Sequence, residues 1–456
     1  MVKEQVTSTA EEKPMMFSRA EMKQLLIPLL LEQALTVMIG MMDTIMVAGC
    51  GEAAVSGVSL VDTINLLLSN VFAALATGGA VVASQYLGKK DPEEAGRSAK
   101  MLFYVILIAS TAIMALCLIF RVSMLDAIYG TIEADVMESA RTYLFWSAVS
   151  YPFLAMYNAS AALLRSMGNA KISLETSLVM NIVNVIGNSL LIYVMNMGVA
   201  GAAIATLVSR ILGAAVMQIA LQNPRCTIPY PKLHELEWHS HLVKKILYVG
   251  VPNGLEGSIF QLGKLILLGL VSTFGTVSIA ANAVGNTMAS LEVLPGNAIG
   301  LGMITVVGQC VGAHEFKQAR MYVKRMMMLA YASMAALNVI ILLSMDLLVI
   351  PFNLSTETAE MAKKLIAIHG LGSIFIWPMA FVLPNALRAA GDATFTMAIS
   401  IFSMAAFRVF FGYILAQNCA MGVVGVWLAM VIDWVFRSTL FLIRMKGNRW
   451  ESKVLV

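Results

Sequence analysis

The sequence predicts an all-α polytopic membrane protein with twelve transmembrane helices in two pseudo-symmetric six-helix bundles. Three observations lead there. Of the 456 residues, 59% are apolar and 13% charged, where soluble domains run near ~45–50% and ~25%; mean hydropathy is +0.79. Apolar runs of the ~20 residues that cross a bilayer recur from end to end. They are continuous rather than alternating, which excludes a strand barrel. Finally, the two halves of the chain match each other. The same composition excludes a soluble domain, a disordered chain and a nucleic-acid binder. The net charge of +4 demands no acidic partner, because basic residues gather on the cytosolic side of any inner-membrane protein.

Residues 1–24 carry Lys3, Glu4, Glu11, Glu12 and Lys13 with no short apolar core behind them. They read as a cytosolic tail, not a cleaved signal peptide. Span 1 (25–49) follows Arg19 and Lys23, and span 2 (56–86) runs to Lys89 and Lys90. Span 3 (100–120) lies between Arg97 and Arg121, and span 4 (142–164) between Arg141 and Arg165. Span 5 (172–195) follows Lys171, and span 6 (199–221) follows Gly198. A linker at 222–244 holds Pro224, Pro229 and Pro231, which break helix. Span 7 (245–273) ends before Gly275, and span 8 (277–310) before Gly312. Span 9 (325–345) follows Lys324, span 10 (362–387) ends at Arg388, and span 11 (394–416) follows Gly391. Span 12 (422–443) ends at Arg444, leaving 444–456 as a second cytosolic tail.

The face holding both termini carries 23 Lys and Arg, and the other carries 4: Arg121, Arg141, Lys363 and Lys364. By the positive-inside rule both termini are cytosolic in a multi-pass protein of the inner (plasma) membrane. Arg210, Lys264, Arg408 and Arg437 remain inside spans. Cys50, Cys117, Cys226, Cys310 and Cys419 are scattered and suggest neither a disulfide frame nor a metal site. The linker segment from His234 through His239 to His241 lacks the H-E-x-x-H spacing and reads as a solvated loop rather than a zinc site.

The repeat has an offset of 224 residues. Pro28 and Glu32 fall on Pro252 and Glu256; Gly78, Val82, Gln85 and Gly88 fall on Gly302, Val306, Gln309 and Gly312. Arg165-x-x-Gly168 falls on Arg388-x-x-Gly391 at 223, after one insertion. Six spans per half is an even number. Two lobes, 25–221 and 245–443, are therefore expected to share one orientation about an axis along the membrane normal, as in parallel-repeat transporters.

An ionisable group inside a bilayer needs a reason. Asp62, Glu292 and Asp433 read as members of structural pairs. Asp43 has company at one depth. Asn181, Asn184 and Asn188 share a face of span 5 through spacings of three and four, and Thr206 of span 6 lies at similar depth. One carboxylate among neutral oxygen donors suits a proton or a weakly held monovalent cation, whereas a divalent ion attracts more carboxylates. The alternative is a stripe of Asn gluing helices together. In the second half Asp43, Asn184, Asn188 and Thr206 become Leu267, Arg408, Gly412 and Met430, so the cluster is present once. Glu32 and Glu256 each follow a proline by one turn. They line an inner vestibule that attracts cationic solutes, or they bond the backbone the proline loosens; the sequence leaves both open.

Met42-Asp-Thr-Ile-Met-Val47, Gly51-Glu-Ala-Ala-Val55, Gly78-Gly79-x5-Gln85-x2-Gly88 and Arg165-x-x-Gly168-Asn169-Ala170 resemble motifs of the multidrug and toxic compound extrusion (MATE) family, as do their second-half partners. The resemblance spans about residues 20–445. It implies a V-shaped pair of six-helix bundles and export of drug-like, often cationic amphipathic compounds by antiport with Na⁺ or H⁺. It also implies a cation-coupling site on Asp43, Asn184, Asn188 and Thr206, which are metal ligands only if the ion is Na⁺. A second-lobe Glu and Asp of one branch of the family fall here on Phe260 and Trp377.

The expected function is a secondary multidrug exporter working by alternating access, with Glu32 and Glu256 as candidate vestibule or gating residues. No cofactor beyond the coupling ion is expected, nor any nucleic-acid partner; lipids and drug-like solutes are the partners of a monomer. The competing reading is a flippase or exporter of a lipid-linked or endogenous amphipathic metabolite, which favours a strongly basic cavity. An intramembrane enzyme is disfavoured because no span carries a nucleophile–base or metal constellation.

Overall fold

The computed structural model describes residues 14–130, 132–230, 235 and 237–456. The charged tail residues Lys3, Glu4, Glu11, Glu12 and Lys13, and Pro231, Lys232 and His234 of the linker, lie outside the described residues. Among the described residues the secondary structure is helical throughout.

The first half comprises α1 (Arg19–Ala48), α2 (Glu52–Gly88), α3 (Pro92–Ile119), the short α4 (Arg121–Tyr129), α5 (Ala134–Ser166), α6 (Lys171–Asn188) and α7 (Gly198–Leu221). The second comprises α8 (Ser240–Ser272), α9 (Thr276–Glu292), α10 (Leu294–Gly312), α11 (Phe316–Val349), α12 (Thr356–Phe375), α13 (Leu383–Ala389), α14 (Ala393–Ser403), α15 (Phe411–Tyr413) and α16 (Gly422–Lys446). Ser18 starts α1 with a reciprocal cap: its hydroxyl accepts from the Glu21 N–H at 3.2 Å, and its own N–H donates to Glu21 Oε2 at 2.7 Å.

Among the described residues ten helices are long and apolar enough to cross a membrane, and α12 with α13, bent by 66° near Pro378, makes up to eleven. Predicted span 4 corresponds to α5, which is not among them. Its polar residues Ser147, Ser150, Tyr151 and Ser160 are buried against neighbouring helices, so it crosses inside protein rather than against lipid. Span 8 is divided at Val293, ahead of Pro295, into α9 and α10. The helix α4 is an addition to the predicted elements.

Two helices change sides. Leu25, Leu26 and Leu29 at the start of α1 belong to the apolar core of the second half. Leu242 and Ile246 at the start of α8 belong to that of the first. Further along, α1 packs on α6 and α8 on α14. The halves also touch backbone to backbone. A Cβ on Gly88 would lie 1.9 Å from Gln309 O, and one on Gly312 would lie 1.9 Å from Gln85 O. Gln85 Nε2 donates to Ala389 O and Gln309 Nε2 to Ser166 O, both at 2.8 Å. All these contacts lie at the end that carries the termini.

Candidate functional site: a polar cluster and an aromatic cavity

The three Asn of α6 emerge on one face, and the helix widens into a π turn at Ser189–Val194 immediately after Asn188. Such turns recur at functional positions because they displace a side chain from its ordinary register. Thr206, Asn184, Asn188 and Asp43 form one continuous chain of hydrogen bonds. Asn184 Nδ2 donates to Thr206 Oγ1 at 3.1 Å, and Asn188 Nδ2 donates to Asn184 Oδ1 at 3.2 Å and to Asp43 Oδ1 at 2.9 Å. Asn184 and Asn188 are buried, and Asn188 Oδ1 has no partner among the described residues. Asn181 turns instead to Ser177 Oγ, at 3.4 Å. Asn188 thus spends its donors on the carboxylate and on its neighbour, leaving an idle carbonyl oxygen inside the cluster.

A second network adjoins it. Arg210, one turn after Thr206, donates to Ser150 Oγ at 2.6 Å and stands within electrostatic reach of Asp62 and Asp43. Asp62 bonds Tyr143 and accepts from Asn65 Nδ2 at 3.2 Å, and Tyr151 OH donates to Asn65 Oδ1 at 2.8 Å. In the sequence Arg210 is visible as a charge inside a span without an assigned role. Its four-residue spacing from Thr206 was the available signal.

Glu32 and Glu256 form the same kind of pair in each half. Glu32 Oε1 accepts from Ser173 Oγ at 2.7 Å and lies 3.9 Å from Arg165 Nη1. Glu256 Oε1 accepts from Arg388 Nη2 at 2.7 Å. The Glu256 side chain thus bonds the repeated arginine of its own half, whereas Glu32 bonds Ser173 with Arg165 nearby.

On the second-half side a cavity of about 640 Å³ lies away from the termini. Phe260, Trp377, Phe381, Trp427 and Trp434 wall it, and Lys264 and Arg408 line it. Thr63, Leu66 and Leu67 of α2 close it from the first half. Among the described residues no group of three or more His, Cys, Asp and Glu is placed to hold a metal ion.

The MatE family model matches the chain twice, over residues 28–190 and 252–414, at the 224-residue spacing of the internal repeat. The chain belongs to the MatE (MATE) family of transporters. It is 26% identical to the uncharacterized transporter YisQ of Bacillus subtilis (strain 168), over 93% of this chain and 94% of that one. It is 24% identical to the probable multidrug resistance protein NorM of Thermotoga maritima, over 96% and 94%. An outward-facing multidrug resistance MATE transporter of the MOP superfamily aligns with a TM-score of 0.87 over 95% of this chain and 96% of that one, at 20% identity. The twelve-helix V-shaped MATE fold is shared, and the two halves are its lobes. In MATE terms, Leu267, Arg408, Gly412 and Met430 are the second-lobe counterparts of the polar cluster, and Arg408 stands 5.0 Å over the Phe260 ring.

Proposed function

We infer that this MATE transporter is a secondary exporter of amphipathic, drug-like compounds, driven by inward movement of H⁺ or Na⁺ through alternating access. It works as a monomer among the lipids of the plasma membrane with both termini cytosolic. The hydrogen-bonded chain Thr206–Asn184–Asn188–Asp43 carries this reading: one carboxylate with neutral oxygens accepts one monovalent charge and little else. Relatives named as probable multidrug resistance proteins support the substrate class. An ion drives the lobes only through unequal affinity for their two arrangements, so removing the charge at Asp43 uncouples transport without abolishing drug binding.

The test is efflux from proteoliposomes under an imposed H⁺ or Na⁺ gradient, with binding measured on the same protein. Asp43→Asn keeps shape and hydrogen bonding, binds substrate and loses ion-driven efflux. Normal efflux from that variant removes Asp43 from the mechanism. If the ion is Na⁺, Asn184→Ala and Asn188→Ala weaken the Na⁺ response; if it is a proton, they matter less. The second reading, export or flipping of a lipid-linked or endogenous amphipathic metabolite, is favoured by one observation: the cations of the cavity, Lys264 and Arg408, face the same space.

A further inference from the structure

The charges around the second-lobe cavity are sorted by sign. Lys264 and Arg408 line it, while the nearest carboxylates are turned behind the wall. Asp433 is fully buried, held by Arg437 Nε at 3.0 Å and by the Ser403 hydroxyl. Glu292 is fully buried behind His369, whose Nδ1 bonds its carboxylate. Arg408 is 8% exposed; among the described residues its Nε has no partner, and the nearest carboxylate oxygen paired with it is 3.8 Å away. Among the described residues Lys264 has neither an ion pair nor a hydrogen bond, and its Nζ stands 6.0 Å from the Phe260 ring. Arg408 and Arg437 occupy the same ring at 5.0 and 5.7 Å. The Phe260 ring is therefore already taken by the protein's own cations. Two neighbouring cations left this poorly matched in an apolar-walled space are costly unless an anion joins them.

We propose that this cavity binds amphipathic anions: molecules with an aromatic or polycyclic body and one negative head group, the head between Lys264 and Arg408 and the body against Trp377, Phe381, Trp427 and Trp434. The volume, about 640 Å³, is that of a drug-sized site. The proposal rests on the exporter reading and narrows it. The family resemblance implies substrates that are often cationic, and this wall favours the opposite sign. A carboxylate or sulfonate of a free solute and the phosphate of an anionic lipid share this chemistry.

Equilibrium binding tests it without any ion gradient. Tetraphenylborate and tetraphenylphosphonium have one shape and opposite charge, and both are read by quenching of the cavity tryptophans. The comparison is between wild type and Lys264→Gln, so partition into detergent cancels. Removing one of two local cations weakens borate binding by about 10-fold and leaves phosphonium binding unchanged or tighter, as expected for loss of one near charge in a poorly screened site. Lys264→Arg restores borate affinity, which separates charge from misfolding. Equal shifts for both probes, or none, overturn the proposal. In nanodiscs, displacement of borate by phosphatidylglycerol assigns the anion to a lipid head group, and retention assigns it to a soluble anion; both keep the proposal. Lost efflux with intact anion binding overturns only the exporter reading, and gradient-driven export without anion preference overturns only this one.

Discussion

At Glu256 the carboxylate accepts from Arg388 Nη2 at 2.7 Å, whereas its repeat partner Glu32 stands 3.9 Å from Arg165 and leans on Ser173. The two pairs are related by the repeat but differ in strength. Glu256→Gln leaves a mostly buried guanidinium without its counter-charge, and a hydrogen bond to a charged group contributes about 1.5–3 kcal/mol. Glu32→Gln keeps the Ser173 partner and costs less. Thermal unfolding in detergent should rank the melting temperatures as wild type, Glu32→Gln, then Glu256→Gln. The reverse order for the two variants would remove the ion pair as the reason. At this scale the sequence was most informative where partners share a helix face. Asn184 and Asn188 were legible from spacing, which also took in Asn181, a residue that turns to Ser177 instead; Asp43 and Thr206 were legible from depth. Lys264 and Arg408 were visible as charges but not as neighbours, because one sits on α8 and the other in the widened turn Met404–Phe410 after α14, and one-dimensional spacing carries no information about which helices face each other. Arg165 and Arg388 were visible as repeat motifs, yet their partnership with Glu32 and Glu256 needed the packing.

The elements carry the repeat in their backbones. Gly88 and Gly312 stood out in the sequence only as matching glycines; the structure shows why each is glycine, since a Cβ at either would lie 1.9 Å from a carbonyl oxygen of the opposite lobe. Backbone cannot yield as a flexible side chain does, so Gly312→Ala pushes α2 and α10 apart at the closed end. Overpacking of this kind costs about 1–3 kcal/mol. Labelling of a cysteine placed at Ser84, which is buried beside Gly308, should be slow in the parent and fast in the Gly312→Ala background. Equal labelling rates would mean that the lobes already separate there. The widened turns after Asn188, at Met404–Phe410 and at Ile414–Asn418, were not legible, because apolar periodicity does not distinguish a π turn from an α turn over five to seven residues. Span 4 was legible as a crossing even though α5 fails a purely apolar test, because its bracketing arginines marked its ends.

Across the whole molecule the two lobes are tied at one end by groups from opposite halves, and the last residues join that tie. Leu455 N–H donates to Gln85 Oε1 at 2.9 Å, and Leu455 and Val456 pack on the apolar core of the first lobe, although they follow the last helix of the second. Lys453 O lies so close to Gly391, at φ +93, that a Cβ there would stand 2.2 Å from it. At the other terminus Phe17 N–H donates to Tyr322 OH at 2.8 Å, so residues before α1 grip the second lobe. The sequence presented both segments as cytosolic tails, since short segments of mixed composition carry no periodicity to reveal docking. Under the alternating-access reading proposed above, this tie breaks in every cycle. Deleting residues 453–456 removes the Leu455 bond and its apolar contacts while leaving every span intact. The arrangement open on the side away from the termini then loses stability relative to the opposite one. Spin labels on the terminal-side ends of α2 and α10 should report a longer or broader distance distribution in the truncated protein. An unchanged distribution would show that Gln85, Gln309 and the two glycine contacts hold the lobes without help from the tail.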